Sequence, residues 1–263
     1  MAAPHGPAGS AGTPAFIFDL PDPPILGAAF AAAFLAGLAR GFSGFGAALI
    51  FIPLASATLG PRLAAPLLMV VDNLTTFPLI PAAWRGADRI QVASLAAGAL
   101  FGAPIGTWLL LHLDPAALRW GMCGLAIAML ALLASGWRYH GRPALPLSLA
   151  VGASSGLFSG VAQMGGPPVV AYWLGGAIPV TRVRANIVLF FAASGVISAV
   201  TYLLGGLLTL STLVLALVIA PAYGVGLWCG ARLFGRASDI VFRRACFALI
   251  ALAALLGLPV WDQ

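Results

Sequence analysis

The chain contains no lysine and no glutamate, and only 8% of its 263 residues are charged. A soluble domain devotes about a quarter of its residues to charge, so a water-exposed globule is excluded. Hydrophobic residues make up 61% of the chain and the mean hydropathy is +1.03, values that predict an integral membrane protein and exclude intrinsic disorder. The net charge of +6 comes from 13 basic residues, all arginine, set against 7 aspartates. Spread through apolar sequence, these arginines build no basic face, which excludes nucleic acid as a partner. Arginine without lysine, in a chain rich in Ala, Gly and Pro, is the codon bias of a GC-rich bacterial genome. Cysteine is scarce too: Cys123, Cys229 and Cys246 are far apart, form no CxxC pair and lie in or beside apolar runs. They read as small buried side chains, not as disulfides or metal ligands. His5 lies in the tail and His112 and His140 in loops, so no metal site, catalytic cluster or cofactor is expected.

Residues 1–23 are rich in Pro, Gly and Ala and lack the basic start of a secretory signal; they are expected to form a disordered tail. Apolar runs follow. In the first half, residues 24–138, they cover 25–39, 44–59, 63–84, 90–113 and 116–137. In the second, residues 145–259, they cover 145–162, 167–178, 185–205, 211–231 and 240–258. A helix needs about 20 residues to cross the hydrocarbon, and the opening pair in each half is mostly too short. The expected fold is an all-α polytopic membrane protein in which these pairs form Gly/Pro-broken helical hairpins, either crossing fully or re-entering by one face.

The halves are related. Phe42-Ser43-Gly44 recurs as Phe158-Ser159-Gly160, and the breaks run on through Gly46 and through Gly165-Gly166-Pro167-Pro168. Gly102-Ala103-Pro104-Ile105-Gly106 pairs with Gly226-Leu227-Trp228-Cys229-Gly230, and Arg119 with Arg243. Matches at both ends of the half indicate an internal duplication. Five runs per half is odd, so the second copy enters the membrane inverted. With the N-terminus outside, eleven arginines (40, 85, 89, 138, 142, 182, 184, 232, 236, 243 and 244) fall on the cytoplasmic side and two, Arg62 and Arg119, outside. This is the positive-inside pattern of a multi-pass protein of the bacterial inner membrane, with residues 139–144 as a cytoplasmic connection.

Inverted repeats with broken short segments are the sequence form of a secondary transporter whose substrate sits where the breaks meet. A glycine break exposes backbone N–H groups that lipid cannot satisfy, and at a helix N-terminus such groups hold an anion. The alternative for any glycine is close helix packing. Packing is the expected role of isolated glycines such as Gly27 and Gly98, so a bulky residue at Gly98 is expected to be milder than one at Gly166.

The two broken elements, GFSGFGAALIFIP from Gly41 to Pro53 and GLFSGVAQMGGPP from Gly156 to Pro168, are followed in the second half by Arg184-Ala185-Asn186. Together they resemble the sulfite exporter TauE/SafE family, also called the toluene-sulfonate uptake permeases, over nearly all of residues 25–258. The resemblance implies transport of small sulfur-containing anions such as sulfite or sulfonates. The first copy has Ala47-Ala48 where the family pairs glycines, which makes the second motif the closer substrate contact. Residues expected to bind substrate are Arg40, Ser43, Gly44, Gly46, Asn73, Ser159, Gly160, Gln163, Gly165, Gly166, Arg184 and Asn186. Gln163 is a donor to an oxyanion in this reading, and Arg184 has the alternative of a plain interfacial anchor. Asp72 is costly in mid-run; it is either a proton-coupling site, a partner of Arg40, or a structural helix-to-helix hydrogen bond. The expected partners are a small anionic substrate and the lipid bilayer, with assembly into a homo-oligomer left open. A membrane enzyme finds no nucleophile with a base here, which leaves an anion channel, or a transporter of other small carboxylates, as the rival.

Overall fold

The computed structural model describes residues 21–141, 144–175, 179–233 and 239–261; most of the expected tail, Arg142 and Arg236 lie outside the described residues. No strand occurs among the described residues. The helices are α1 (Pro23–Ser43), α2 (Ala47–Thr58), α3 (Pro61–Thr76), α4 (Ile80–Gly86), α5 (Arg89–His112), α6 (Pro115–Ser135), α7 (Leu145–Ala162), α8 (Gly166–Trp173), α9 (Val180–Leu204), α10 (Leu210–Leu233) and α11 (Asp239–Leu256). A 3₁₀ turn over Phe77–Leu79 joins α3 to α4 in one span. Seven segments are long and apolar enough to cross a membrane. The protein is an all-α polytopic membrane protein.

Helix ends use the few polar residues available. Proline opens α1, α3, α6 and α7, where its missing N–H costs nothing. Asp88 accepts the Gln91 N–H at the start of α5, and Asp114 accepts the N–H groups of Ala116 and Ala117 at the start of α6. Arg62 donates to the carbonyls of Leu110, Leu111 and Leu113, at the end of α5. Arg119, buried on α6, donates to the Gly257 carbonyl just past α11. The two arginines on the minority side of the charge count therefore satisfy orphan carbonyls at helix C-termini, where positive charge is favourable.

The opening helix of the first half is longer than its apolar run suggested: α1 has 21 residues, because Arg40-Gly41-Phe42-Ser43 continues it instead of breaking it. α7, with 18 residues, coincides with its run, and both helices qualify as spans. Only their partners are short: at 1.5 Å per residue α2 is about 18 Å long and α8 about 12 Å, against about 30 Å of hydrocarbon. Both double back. The Tyr172 hydroxyl, at the end of α8, is 2.8 Å from that of Ser148 at the start of α7. The start of α2 and the end of α1 share a cavity with Leu132 and Leu133, at the end of α6. Ser56, near the end of α2, reaches Met122 near the start of α6.

The principal contacts swap between halves: α1 packs on α10, and α7 on α5. In the first pair a Cβ on Gly37 or Gly41 would overlap the carbonyl of Tyr223 or Leu227, and one on Gly226 or Gly230 that of Phe34 or Leu38. In the second pair Gly156 and Gly160 meet Ala99 and Ala103, while Gly102 and Gly106 meet Ala153 and Leu157. Each contact of the first set maps onto one of the second by adding 119 to the α1 residue and subtracting 124 from the α10 residue. The breaks follow the same offset: Gly44 and Gln163, Gly46 and Gly165, and Ala47 and Gly166 are each 119 residues apart. The matching Phe-Ser-Gly tripeptides, 116 apart, are thus three residues out of structural register.

Candidate functional site

The first break needs two left-handed residues and has glycine at both, Gly44 (φ 78°) and Gly46 (φ 93°). The Gly44 N–H closes α1 on the Arg40 carbonyl at 2.7 Å. The second break turns on Gln163 (φ 55°), the one non-glycine with positive φ among the described residues. Such a conformation costs about 1–3 kcal/mol and persists only where its surroundings hold it. Here the Gln163 amide donates to the Ser159 carbonyl (2.9 Å) and to the Tyr202 hydroxyl (3.1 Å). Tyr202, fully buried on α9, in turn donates to the carbonyls of Gly160 and Ser159.

Both breaks deliver a helix start to one pocket of about 50 Å³, lined by Gly46 to Leu49 from α2 and Gly165 to Pro167 from α8. First-turn N–H groups have no partner within their own helix and carry the positive end of its dipole. On α8 the prolines at 167 and 168 lack an N–H, so Gly165 and Gly166 supply the donors at its tip. A Cβ on Gly165 would overlap Ser155 and Ser159, whereas one on Gly166 would stand 3.3 Å from the Phe191 ring and 3.9 Å from Phe45. Gly165 shapes the turn, and Gly166 faces the Phe191 ring at the pocket wall.

A charged cluster forms another wall. Arg40 Nε lies 2.8 Å from Asp72 Oδ1, and its terminal nitrogen donates to Thr76 Oγ1 at 3.0 Å. The Tyr223 hydroxyl donates to the same Asp72 oxygen. The guanidinium sits 5.7 Å from the centre of the Phe191 ring. With side-chain exposures of 14% and 25% for Arg40 and Asp72, the pair is sheltered yet open to the pocket. Asn73 lies beside it, its amide 3.1 Å from Met69 Sδ.

Eight expected residues line this pocket: Arg40, Gly46, Asp72, Asn73, Ser159, Gln163, Gly165 and Gly166. Five do not. Ser43 donates to the Ala39 carbonyl and faces a neighbouring apolar cavity. Gly44 is the cap of α1. Gly160 packs on Ala103 of α5, because α7 continues through Ala162. Arg184 is exposed, which fits the interfacial anchor. Asn186 is fully buried and accepts the Asp88 N–H at 2.7 Å, tying α9 to the start of α5. Gln163 lines the pocket with its amide N–H groups committed to the Ser159 carbonyl and the Tyr202 hydroxyl. Gly98 packs against the Leu149 carbonyl, too close for any Cβ, which reverses the expected contrast with Gly166; Gly27 has open space around it. Phe191, Ser194 and Tyr223 were not anticipated. A tyrosine in mid-span was the one available signal. No group of three or more metal-ligating side chains occurs among the described residues.

The model of the family described as sulfite exporter TauE/SafE matches residues 29–256. The chain belongs to the sulfite exporter TauE/SafE family. Neither a curated protein nor a solved structure gives a significant match. As a TauE/SafE protein it is a multi-pass membrane transporter, and the match takes in both hairpins, the ion pair and Tyr223.

Proposed function

We propose that this TauE/SafE protein is a secondary transporter that carries a small sulfur-containing anion, such as sulfite, a sulfonate or a related organic anion, across the bacterial inner membrane. Its flux is coupled to the proton gradient through Asp72. The observation behind this reading is the convergence of two helix starts and Arg40 on one sheltered pocket. Backbone N–H groups at helix starts hold an anion without a full counter-charge. At about 10–15 Å³ per water-sized probe position, a pocket of 50 Å³ has the scale of an oxyanion head with a few heavy atoms.

The two halves act in this reading as inverted repeats that rock about the pocket. The swapped zippers and the common offset of the breaks support the duplication, and the odd number of segments and the arginine asymmetry support the inversion. Both termini then face the periplasm. In a background without native cysteines, Ser10→Cys and Gly141→Cys should label from opposite sides; labelling from one side would rule out this topology.

Purified protein in proteoliposomes, tested with sulfite, thiosulfate, sulfonates and carboxylates, should show saturable flux of the sulfur anions that responds to an imposed pH gradient. Ohmic single-channel currents would instead assign a channel, and preference for carboxylates would assign that substrate class.

A further inference from the structure

Among the described residues lining the pocket, Arg40 is the cation and Asp72 the anion, so the side chains of its wall carry no net charge. The Asp72 carboxylate occupies the N–H groups that an incoming oxyanion would use, with Oδ1 held by both Arg40 Nε and the Tyr223 hydroxyl. An anion admitted beside an ionised Asp72 leaves two negative charges on one guanidinium in a partly desolvated site, and a like charge at that range disfavours the ionised carboxylate. The helix starts offer only about half a positive charge each, falling off within a turn.

We infer that the transported anion displaces Asp72 from Arg40, that Asp72 binds a proton as it is displaced, and that anion and proton therefore cross in the same direction. The inference rests on the transport reading and supplies the sign of its coupling. The proton comes from water on the side of anion entry and forms an O–H bond on the Asp72 carboxylate, while Arg40 keeps its charge throughout. On the other side the anion leaves, Arg40 recaptures Asp72 and the proton is released to water. Tyr223 is a positioning residue that keeps the displaced carboxyl beside the pocket. Its backbone is clamped by Gly37 of α1, so Arg40 and Tyr223 ride on one close-packed pair, α1 with α10, while Asp72 comes from α3. The walls supplied by α2, α7, α8 and α9 present no titratable side chain to the pocket among the described residues. α6, packed on α3 outside the pocket, brings Arg119, which is committed to Gly257, and the buried Cys123.

The test uses the full-length protein in proteoliposomes holding a pH-sensitive dye, with methanesulfonate and thiosulfate as probes, since both are fully ionised near neutral pH and carry no proton themselves. An inward probe gradient should acidify the lumen, and Asp72→Asn should bring the acidification per probe anion entering to zero, whatever probe flux it retains. Probe entry with no pH change, or with alkalinisation, overturns the inference and leaves the transport reading standing. Absence of entry by either probe overturns both. Because Asp72→Asn leaves Arg40 without its partner, a second measurement uses the unaltered protein. Titration calorimetry with methanesulfonate in buffers of different ionisation enthalpy should show about one proton taken up per anion bound, and zero uptake overturns the inference.

Discussion

Where α1 meets α10, Gly37, Gly41, Gly226 and Gly230 bring two backbones into contact; where α7 meets α5, Gly156, Gly160, Gly102 and Gly106 do the same in the same register. The second seam is longer, with Gly98 against Leu149 and Gly152 against Leu95. The polar equipment differs more. Arg40 lies 119 residues before Ser159 and Tyr223 lies 124 after Ala99, so the second seam has a serine and an alanine where the first has a cation and a phenol. Counted from the first residue of α3 and of α9, Asp72 corresponds to Phe191. Backbone packing is duplicated and the charge is not. Helix association in lipid lacks a hydrophobic drive and relies on close packing, which constrains both seams alike. Phe191, at the position equivalent to Asp72, is the face on which Arg40 rests.

The harshest way to break the comparison is to spread one seam. Gly102→Leu drives a side chain into the Ala153 backbone, an obstacle that cannot rotate away. Overpacking of about 1–3 kcal/mol is usual where side chains can shift, and here the loss should exceed that and leave little monodisperse protein after detergent extraction. Gly124→Leu, with nothing within 4 Å of the added Cβ, should stay within about 0.5 kcal/mol of the parent in a thermal-shift assay.

Charge comes next. Arg40→Gln should cost stability between the ~1 kcal/mol of an exposed ion pair and the ~3–5 kcal/mol of a buried one, and should abolish anion flux. The equivalent change in the other half, Ser159→Ala, should leave most flux intact; equal loss at both positions would erase the asymmetry. Tyr202→Phe removes the hydroxyl shared by Gln163 and the last carbonyls of α7. It should destabilise by about 1–3 kcal/mol, the usual cost of an unsatisfied buried group, with flux retained per folded molecule. A smaller stability effect is expected for Gly166→Ala, where the Phe191 ring yields by a few tenths of an ångström. That variant should fold normally and show a raised half-saturation concentration for the anion in flux assays.

Membrane character, the glycine breaks and a pairing of Arg40 with Asp72 were legible because composition and a charge in an apolar run need no register. The exact break was not. Identical tripeptides suggested an offset of 116, but Phe158-Ser159-Gly160 is in mid-helix, and the second turn is made by Gln163, a residue with no intrinsic preference for positive φ. Its conformation depends on Tyr202, 39 residues away, a tertiary contact that local sequence does not encode. Gly160 and Asn186 lie away from the pocket for a related reason: small or polar residues near a motif also serve packing, and only the helix face they occupy separates the roles. Tyr223 was missed because its partner Asp72 is 151 residues distant.

The most direct measurement is saturable uptake of radiolabelled thiosulfate into proteoliposomes containing the parent protein or Arg40→Gln, each checked for a monodisperse, folded population before reconstitution. Two helix starts with a single guanidinium as the anion site predict saturable uptake by the parent and none above protein-free liposomes for Arg40→Gln. Uptake by folded Arg40→Gln at the parental rate and half-saturation would contradict it.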